Sequence, residues 1–233
     1  MKVLHFSGGK DSLACLYLLK DQWDEITVMW MNAGAPYPET VAQMEKIKAL
    51  VPHFLEVRSD QSKQIEAHGF PADVVPISNT TFGVHLRPGG ALIQSWGSCC
   101  GANLWEPLQA ATRRLGATTV IRGQRRDDYR TSPIRNGHVE GGVTYLFPIE
   151  DWTAADVFRF LEAQKVEIPD SYRWAGTSLD CWNCTAFLDE RQRELRNLPK
   201  HHPELWPEVD RRLRIIRKAI AQDTAYLDAA IGA

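Results

Sequence analysis

Apolar residues along this chain follow two rhythms in turn. A short apolar run at Val3, Leu4 and Phe6 hands over, through Ser7, Gly8, Gly9, Lys10, Asp11 and Ser12, to Leu13, Ala14, Leu16, Leu18 and Leu19 at helical spacing. The order repeats with a strand over 26–31, a loop over 32–39, a helix over 40–50 and a strand over 54–57. Further on, a helix over about 104–115, closed by Gly116, leads to a strand over 118–121. Strands that alternate with helices predict an α/β fold with a doubly wound parallel sheet. Ligands of such sheets bind at the carboxyl ends of the strands. Those ends are Ser7 to Lys10, then Asn32, Ala33 and Gly34, then Gly123, Gln124, Arg125 and Arg126, so three separated segments point to one crevice.

The segment 61–98 has no such rhythm, with scattered prolines and the pair Gly89 and Gly90, and it predicts a long irregular insertion near the site. A helix is expected after Asp151, with Trp152, Val157, Phe158 and Leu161 on one face and either Thr153 or Asp151 as its cap. From 204 to 231, Leu205, Val209, Leu213, Ile216, Ile220 and Leu227 predict an amphipathic helix. The expected organisation is one α/β domain over 1–233 with a helical appendage over 185–233.

Composition narrows the class. In 233 residues, 44% hydrophobic and 24% charged, there is enough apolar side chain for a full core. Twenty-seven basic and 29 acidic residues give a net charge of −2, so no global field draws in nucleic acid or membrane. The first strand starts at the N-terminus and the chain contains no long apolar run, so the expectation is a cytoplasmic protein without signal peptide or membrane span. Five cysteines are too few for a disulfide scaffold.

Candidate chemistry begins at Ser7 to Ser12. A strand, a Gly-Gly turn and a helix start make an anion cradle, because the glycines let several backbone N–H groups and the positive helix end face one phosphate. Lys10 adds a mobile cation, Asp11 can hold Mg²⁺ or a substrate hydroxyl, and Ser7 and Ser12 can donate to phosphate oxygens or cap the helix. The spacing is too short for a Walker loop. It resembles the PP-loop of the adenine nucleotide α-hydrolase superfamily, whose members cleave ATP between the α and β phosphates or bind an adenylyl sulfate.

Cys99 and Cys100 are adjacent, Cys181 and Cys184 form a CxxC turn, and 80 residues lie between the pairs. Two pairs from distant segments can converge on a four-thiolate site. Iron–sulfur ligation suits an adjacent pair better than zinc does; four independent structural cysteines or a redox disulfide are the plainer readings.

The pattern of these pairs is similar to that of the iron–sulfur adenylyl sulfate reductases. Agreement extends to the loop at 7–12, to Asn32 through Thr40, to Glu106-Pro107-Leu108, to the run from Val120 to Asp127 and to the run from Phe147 to Thr153. Together these resemble the phosphoadenylyl sulfate reductase family. The resemblance implies an adenine nucleotide α-hydrolase-like, Rossmann-like fold, a [4Fe-4S] cluster on Cys99, Cys100, Cys181 and Cys184, and phosphate contacts at Ser7, Gly8, Gly9, Lys10, Asp11 and Ser12. It also implies adenosine contacts around Asn32, Ala33 and Gly34, further nucleotide contacts at Gly123 and Gln124, and anion-binding arginines at Arg125 and Arg126.

One departure matters. Reductases of this family use a nucleophilic cysteine in a Glu-Cys-Gly motif near the C-terminus, and this sequence has no cysteine after Cys184. Cys15, the remaining thiol, lies between Leu13 and Leu16 and reads as a buried structural residue. The loop lysine also suits the β and γ phosphates of ATP, as in ATP pyrophosphatases. The combination is closest to the ATP pyrophosphatase component of DNA phosphorothioation systems and to cluster-dependent tRNA thiolases.

The expectation is therefore an enzyme that cleaves ATP to AMP and pyrophosphate to activate an acceptor for sulfur transfer. Lys10, Asp11, Arg125 and Arg126 would be catalytic, with Mg²⁺, ATP and the cluster as cofactors. Its partners would be an adenine nucleotide, a sulfur donor such as a cysteine desulfurase and a nucleic acid acceptor. A reductase that uses an external thiol is the main alternative, and a non-catalytic nucleotide or redox sensor is a third. Arg191, Arg193, Arg196, Arg211, Arg212, Arg214, Arg217 and Lys218 read first as solvated helix faces and second as a nucleic acid contact. Trp182 shields the cysteines from water, and His138 is a lesser substrate-contact candidate.

Overall fold

In the computed structural model the described residues are 1–85, 90–128 and 132–232, and Gly89 of the expected Gly-Gly turn lies outside them. The chain divides into two compact units with interleaved segments. The first comprises Met1–Asn32, Pro36–Arg58 and Pro107–Leu179; the second comprises Ala33–Ala35, Ser59–Glu106 and the residues from Asp180 onward.

The strands of the first unit are β1 (Lys2–His5), β2 (Ile26–Asn32), β3 (Phe54–Arg58), β6 (Thr119–Ile121), β7 (His138–Glu140) and β8 (Val143–Leu146). They form one sheet in the order β3-β2-β1-β6-β8-β7, parallel except for the β7–β8 hairpin. The order reverses between β1 and β6, which makes the carboxyl ends of these two strands the switch point of the sheet. Strand alternation explains why both faces are covered. Leu4 joins Leu13, Leu16, Ile121, Ile149, Val157 and Leu161 in one buried cluster, whereas its neighbour Val3 joins Met29, Ala111 and Ala117 in another.

Helix α1 (Lys10–Leu18) follows β1, α2 (Pro38–Leu50) follows β2, and α5 (Glu106–Arg114) precedes β6. Helix α6 (Ala154–Ala163) packs beside α1. Thr153 rather than Asp151 caps α6: its hydroxyl accepts from the Asp156 amide (3.2 Å) while the Asp156 carboxylate accepts from the Thr153 amide (2.9 Å). A single turn, α7 (Ser171–Trp174), completes the unit.

The second unit corrects the expectation of an irregular 61–98. It holds α3 (Gln61–His68), capped by Asp60, and two three-residue strands, β4 (Phe70–Ala72) and β5 (Ile93–Ser95), paired in parallel. These strands are too short to alternate, and β4 contains Pro71, so no strand rhythm shows in the sequence. Gly69 (φ +93°) joins α3 to β4; a Cβ there would lie 2.0 Å from the Leu92 carbonyl carbon, so only glycine fits. Helix α4 (Trp96–Cys100) starts earlier than the expected helix at 104 and runs into a π-helical turn over Gly101–Trp105. Helices α8 (Gln192–His201) and α9 (Trp206–Ile231) follow, and Ile216 of α9 packs with Ala72 and Ile93. Among the described residues no helix is long and apolar enough to cross a membrane.

Candidate functional site

The switch point of the first unit is built by consecutive residues. After β1, Gly8 takes φ +84°, and Gly9 ends the turn as the residue that precedes α1. The Ser12 hydroxyl turns back onto the Gly9 carbonyl (2.9 Å), with Ser7 3.3 Å away, so neither serine caps the helix in the expected way. Instead the Lys10 amide donates to the Tyr172 hydroxyl (2.7 Å), and Tyr172 lines one small pocket with Ser7, Gly8, Gly9 and Thr40. Nothing in the local sequence marks Tyr172, which arrives from a segment 162 positions away.

Charge is dense behind the loop. Lys10 Nζ lies 2.6 Å from Asp11 Oδ2 and 5.9 Å from the Phe158 ring centre. Arg125, with 6% of its side chain exposed, places Nε 2.8 Å from Asp11 Oδ1, Nη2 2.6 Å from Asp128 Oδ1 and Nη1 against Asp127. Its guanidinium is thus engaged by three carboxylates, whereas the resemblance assigned it to a phosphate or sulfate. Burial raises the Asp128 carboxyl above its usual range, against the pull of Arg125. Arg126 is exposed and reaches Asp151 (3.0 Å). Gln124 donates to Asp128 (3.3 Å). Gly123 allows the loop after β6 to approach α1, since a Cβ would sit 2.6 Å from the Asp11 carbonyl carbon. Asn32 closes β2 and donates to Glu56 (2.7 Å).

Two groups beside this loop titrate far from their ordinary range, Cys15 fully buried and His5 partly so. Cys15 donates to the Arg122 carbonyl (3.6 Å), and burial pushes its thiol up to about 12, so it is a structural residue. His5 is lowered to about 3 by burial and by the Arg122 charge. Arg122 Nε donates to His5 Nδ1 (3.3 Å), which leaves the neutral ring to donate from Nε2 to the Thr112 hydroxyl (3.0 Å).

The second unit brings the four other cysteines together. Cys99, Cys100, Cys181 and Cys184 line one cavity of about 190 Å³ together with Ala33, Gln61, Asn103, Trp105, Phe187 and Arg191. Cys99 and Cys184 are buried, Cys100 and Cys181 partly so. Burial pushes the thiols of Cys99, Cys181 and Cys184 above their ordinary range, so these sulfurs stay protonated without a cation to hold. Amides of Gln61 and Asn103 approach the Cys99 sulfur at 3.8 and 3.9 Å.

The Gln61 backbone amide donates to the Ala33 carbonyl (3.1 Å), and Gly34 takes φ +95° beside it. As they stand, no three His, Cys, Asp or Glu side chains among the described residues form a group that holds a metal ion. In chemistry the donor set, four thiols on one cavity, fits an iron–sulfur cluster. Arg191 donates to the Cys184 carbonyl (2.6 Å) and pairs with Glu194, both side chains almost fully buried. Gln61 and Asn103 were not singled out from the sequence; the end of β3, three residues before Gln61, was the available signal for one of them. Arg191, expected on a solvated helix face, is instead buried, because its guanidinium pairs with Glu194 and the Cys184 carbonyl.

Comparison with known proteins decides the family. The phosphoadenosine phosphosulfate reductase domain matches residues 2–187. The chain belongs to this family. Among curated relatives, an adenosine 5'-phosphosulfate reductase of Neisseria meningitidis is 26% identical over 168 residues, covering 69% of this chain and 62% of the relative. A sulfate adenylyltransferase subunit 2 of Streptomyces lavendulae is 26% identical over 190 residues, covering 73% and 56%. An uncharacterized protein of Methanocaldococcus jannaschii is 23% identical over 215 residues, covering 89% and 47%.

The chain thus spans about half to three-fifths of the length of these curated family relatives. The crystal structure of a phosphoadenylyl-sulfate reductase from Candida auris has the same fold, with a TM-score of 0.54 at 16% identity over 77% of this chain and 81% of that one. The family's α/β sheet is therefore the one described above.

Proposed function

We propose that this protein cleaves ATP to AMP and pyrophosphate and so activates an acceptor for sulfur transfer. The observation that carries the reading is Lys10 paired with Asp11 at the head of a Gly-Gly loop, on the switch point of a parallel sheet. The helix start behind the loop and the Lys10 ammonium suit the charge that gathers on departing pyrophosphate. Asp11 would hold the Mg²⁺ that accompanies the nucleotide and neutralises its phosphates. Arg125 holds the Asp11 carboxylate in place, and Arg126, paired at the surface with Asp151, is the arginine of the pair exposed enough to meet an anion. Gly123 keeps the loop after β6 close to the start of α1.

Cys99, Cys100, Cys181 and Cys184 would hold a [4Fe-4S] cluster, which when bound supplies a site for sulfide or an electron. The sulfur would come from a donor such as a cysteine desulfurase, and the acceptor would be a nucleic acid. A second reading, reduction of an adenylyl sulfate, is supported by the adenosine 5'-phosphosulfate reductases among the relatives. That chemistry needs a sulfur-attacking thiol. Cys15 is sealed and the other four line the cavity, so the thiol would come from outside these 233 residues.

The test is anaerobic incubation with ATP and Mg²⁺, in the presence of plasmid DNA or tRNA and a desulfurase, with products separated. AMP with pyrophosphate is expected, and iron analysis should return about four irons per chain. Thioredoxin-coupled sulfite release from adenylyl sulfate, without ATP cleavage, would put the second reading first.

A further inference from the structure

Two non-glycine residues among those described have positive φ, Lys165 (55°) and Phe187 (60°). Lys165 lies two residues past the end of α6, where the chain turns off the helix and the Val166 amide returns to the Leu161 carbonyl (2.9 Å). Phe187 has no such explanation. It follows Cys184 by three positions, outside any helix, and a bulky aromatic residue is among the least suited to this backbone region. Strain of this kind persists only where the surroundings over-determine it, and it gathers at functional sites.

The surroundings do over-determine it. The Asp73 carboxylate accepts from the Phe187 amide (2.8 Å) and from the Leu188 amide (3.0 Å). The Phe187 carbonyl accepts from the Glu190 and Arg191 amides (3.1 and 2.9 Å). Upstream, the Thr185 hydroxyl is fixed to the Pro71 carbonyl (2.7 Å), and downstream Arg191 is locked by buried Glu194. What this clamp presents is the ring. It packs 5.0 Å from the Trp96 ring centre, Trp96 meets Trp105 at 6.2 Å, and Phe187 and Trp105 both line the cavity of the four cysteines.

We infer that Phe187 is an access-determining residue: the strained backbone holds its ring against Trp96 as a shutter on the cysteine cavity, keeping water and small electrophiles from the buried sulfurs of Cys99 and Cys184. The inference rests on the cluster reading only for what the shutter protects; control of access to the thiols stands without it.

The experiment uses the full chain as wild type, Phe187→Gly, Phe187→Ala and Phe187→Tyr. Metal-free protein is treated with iodoacetamide, and labelling at Cys99 and Cys184 is followed by mass spectrometry, with sealed Cys15 reporting any unfolding. Loss of the ring should speed labelling of Cys99 and Cys184 by about tenfold in the Gly and Ala variants, with Cys15 unchanged and Phe187→Tyr at the wild-type rate. Because glycine accepts positive φ, Phe187→Gly should melt at or above Phe187→Ala. Wild-type labelling rates in both truncations would overturn the shutter, and a Gly variant that melts below the Ala variant would overturn the strained clamp. In iron-loaded protein the same truncations should bleach faster in air. Wild-type protein purified without iron would defeat the cluster reading while leaving the labelling result to judge the shutter.

Discussion

The loop of the first unit and the cavity of the second are prepared for their chemistry in opposite ways. Around the loop, charge is already present and compensated: Lys10, Asp11, Arg125, Asp127 and Asp128 form one chain of ion pairs, with the central guanidinium nearly sealed from water. Around the cavity, charge is withheld, because three of the four thiols are pushed toward the neutral form by burial. A preorganised polar loop meets a charged ligand with little reorganisation. A thiol cavity acquires its charge only when a cation replaces the protons. The two regions therefore call for different perturbations, and each reports on its own unit.

The largest effect should separate them outright. Lys10→Ala and Asp11→Ala are expected to lower ATP cleavage by about 10²–10³-fold while leaving iron content unchanged. Cys99→Ser, Cys100→Ser, Cys181→Ser and Cys184→Ser should each lose the iron, whereas Cys15→Ser should keep it. Paired assays of pyrophosphate release and iron on the same preparations check this, and loss of iron in Lys10→Ala would break the distinction.

Stability offers a sharper contrast. The cavity leans on one buried ion pair, Arg191 with Glu194, whose side chains are 5% and 1% exposed. Arg191→Ala leaves Glu194 buried without that partner and should cost about 3–5 kcal/mol, read as a shift in denaturant midpoint. The exposed pair Lys46–Glu167 gives the control, since solvent screens it and Lys46→Ala should leave the denaturant midpoint nearly unchanged.

Beneath the loop the smaller effect is one of pH. His5 is held neutral, its folded value near 3 against an ordinary 6.5. Its contribution is fully present above pH 6.5 and is lost as pH falls from 6.5 toward 3, because the unfolded chain takes up the proton first. His5→Asn offers the same acceptor and donor without titrating, so its stability should fall less steeply over that window in denaturant melts. Equal slopes for the two proteins would remove His5 as the cause.

What the sequence determined by itself is local and periodic. The apolar run into Gly8 and Gly9, the helix from Leu13, and the strand at 118–121 announced a parallel sheet, because each pattern repeats over a few neighbours and places its own side chains on one face. A cap at Thr153 or Asp151 and the long terminal helix were legible for the same reason, and the structure chose Thr153. The switch-point loop was legible too, since its glycines and charges are consecutive.

Tertiary structure alone decided the rest. It turned 61–98 into a helix and two paired strands that are too short to carry a rhythm. It brought Tyr172 to the Lys10 amide, and it wrapped Arg125 in carboxylates when the sequence offered it to an anion. It added Gln61 and Phe187, from positions as far apart as 61 and 187, to the cavity on which the sequence let the four cysteines converge. Burial, partner charge and backbone strain are properties of neighbours in space, and no spacing along the chain encodes which distant neighbour arrives.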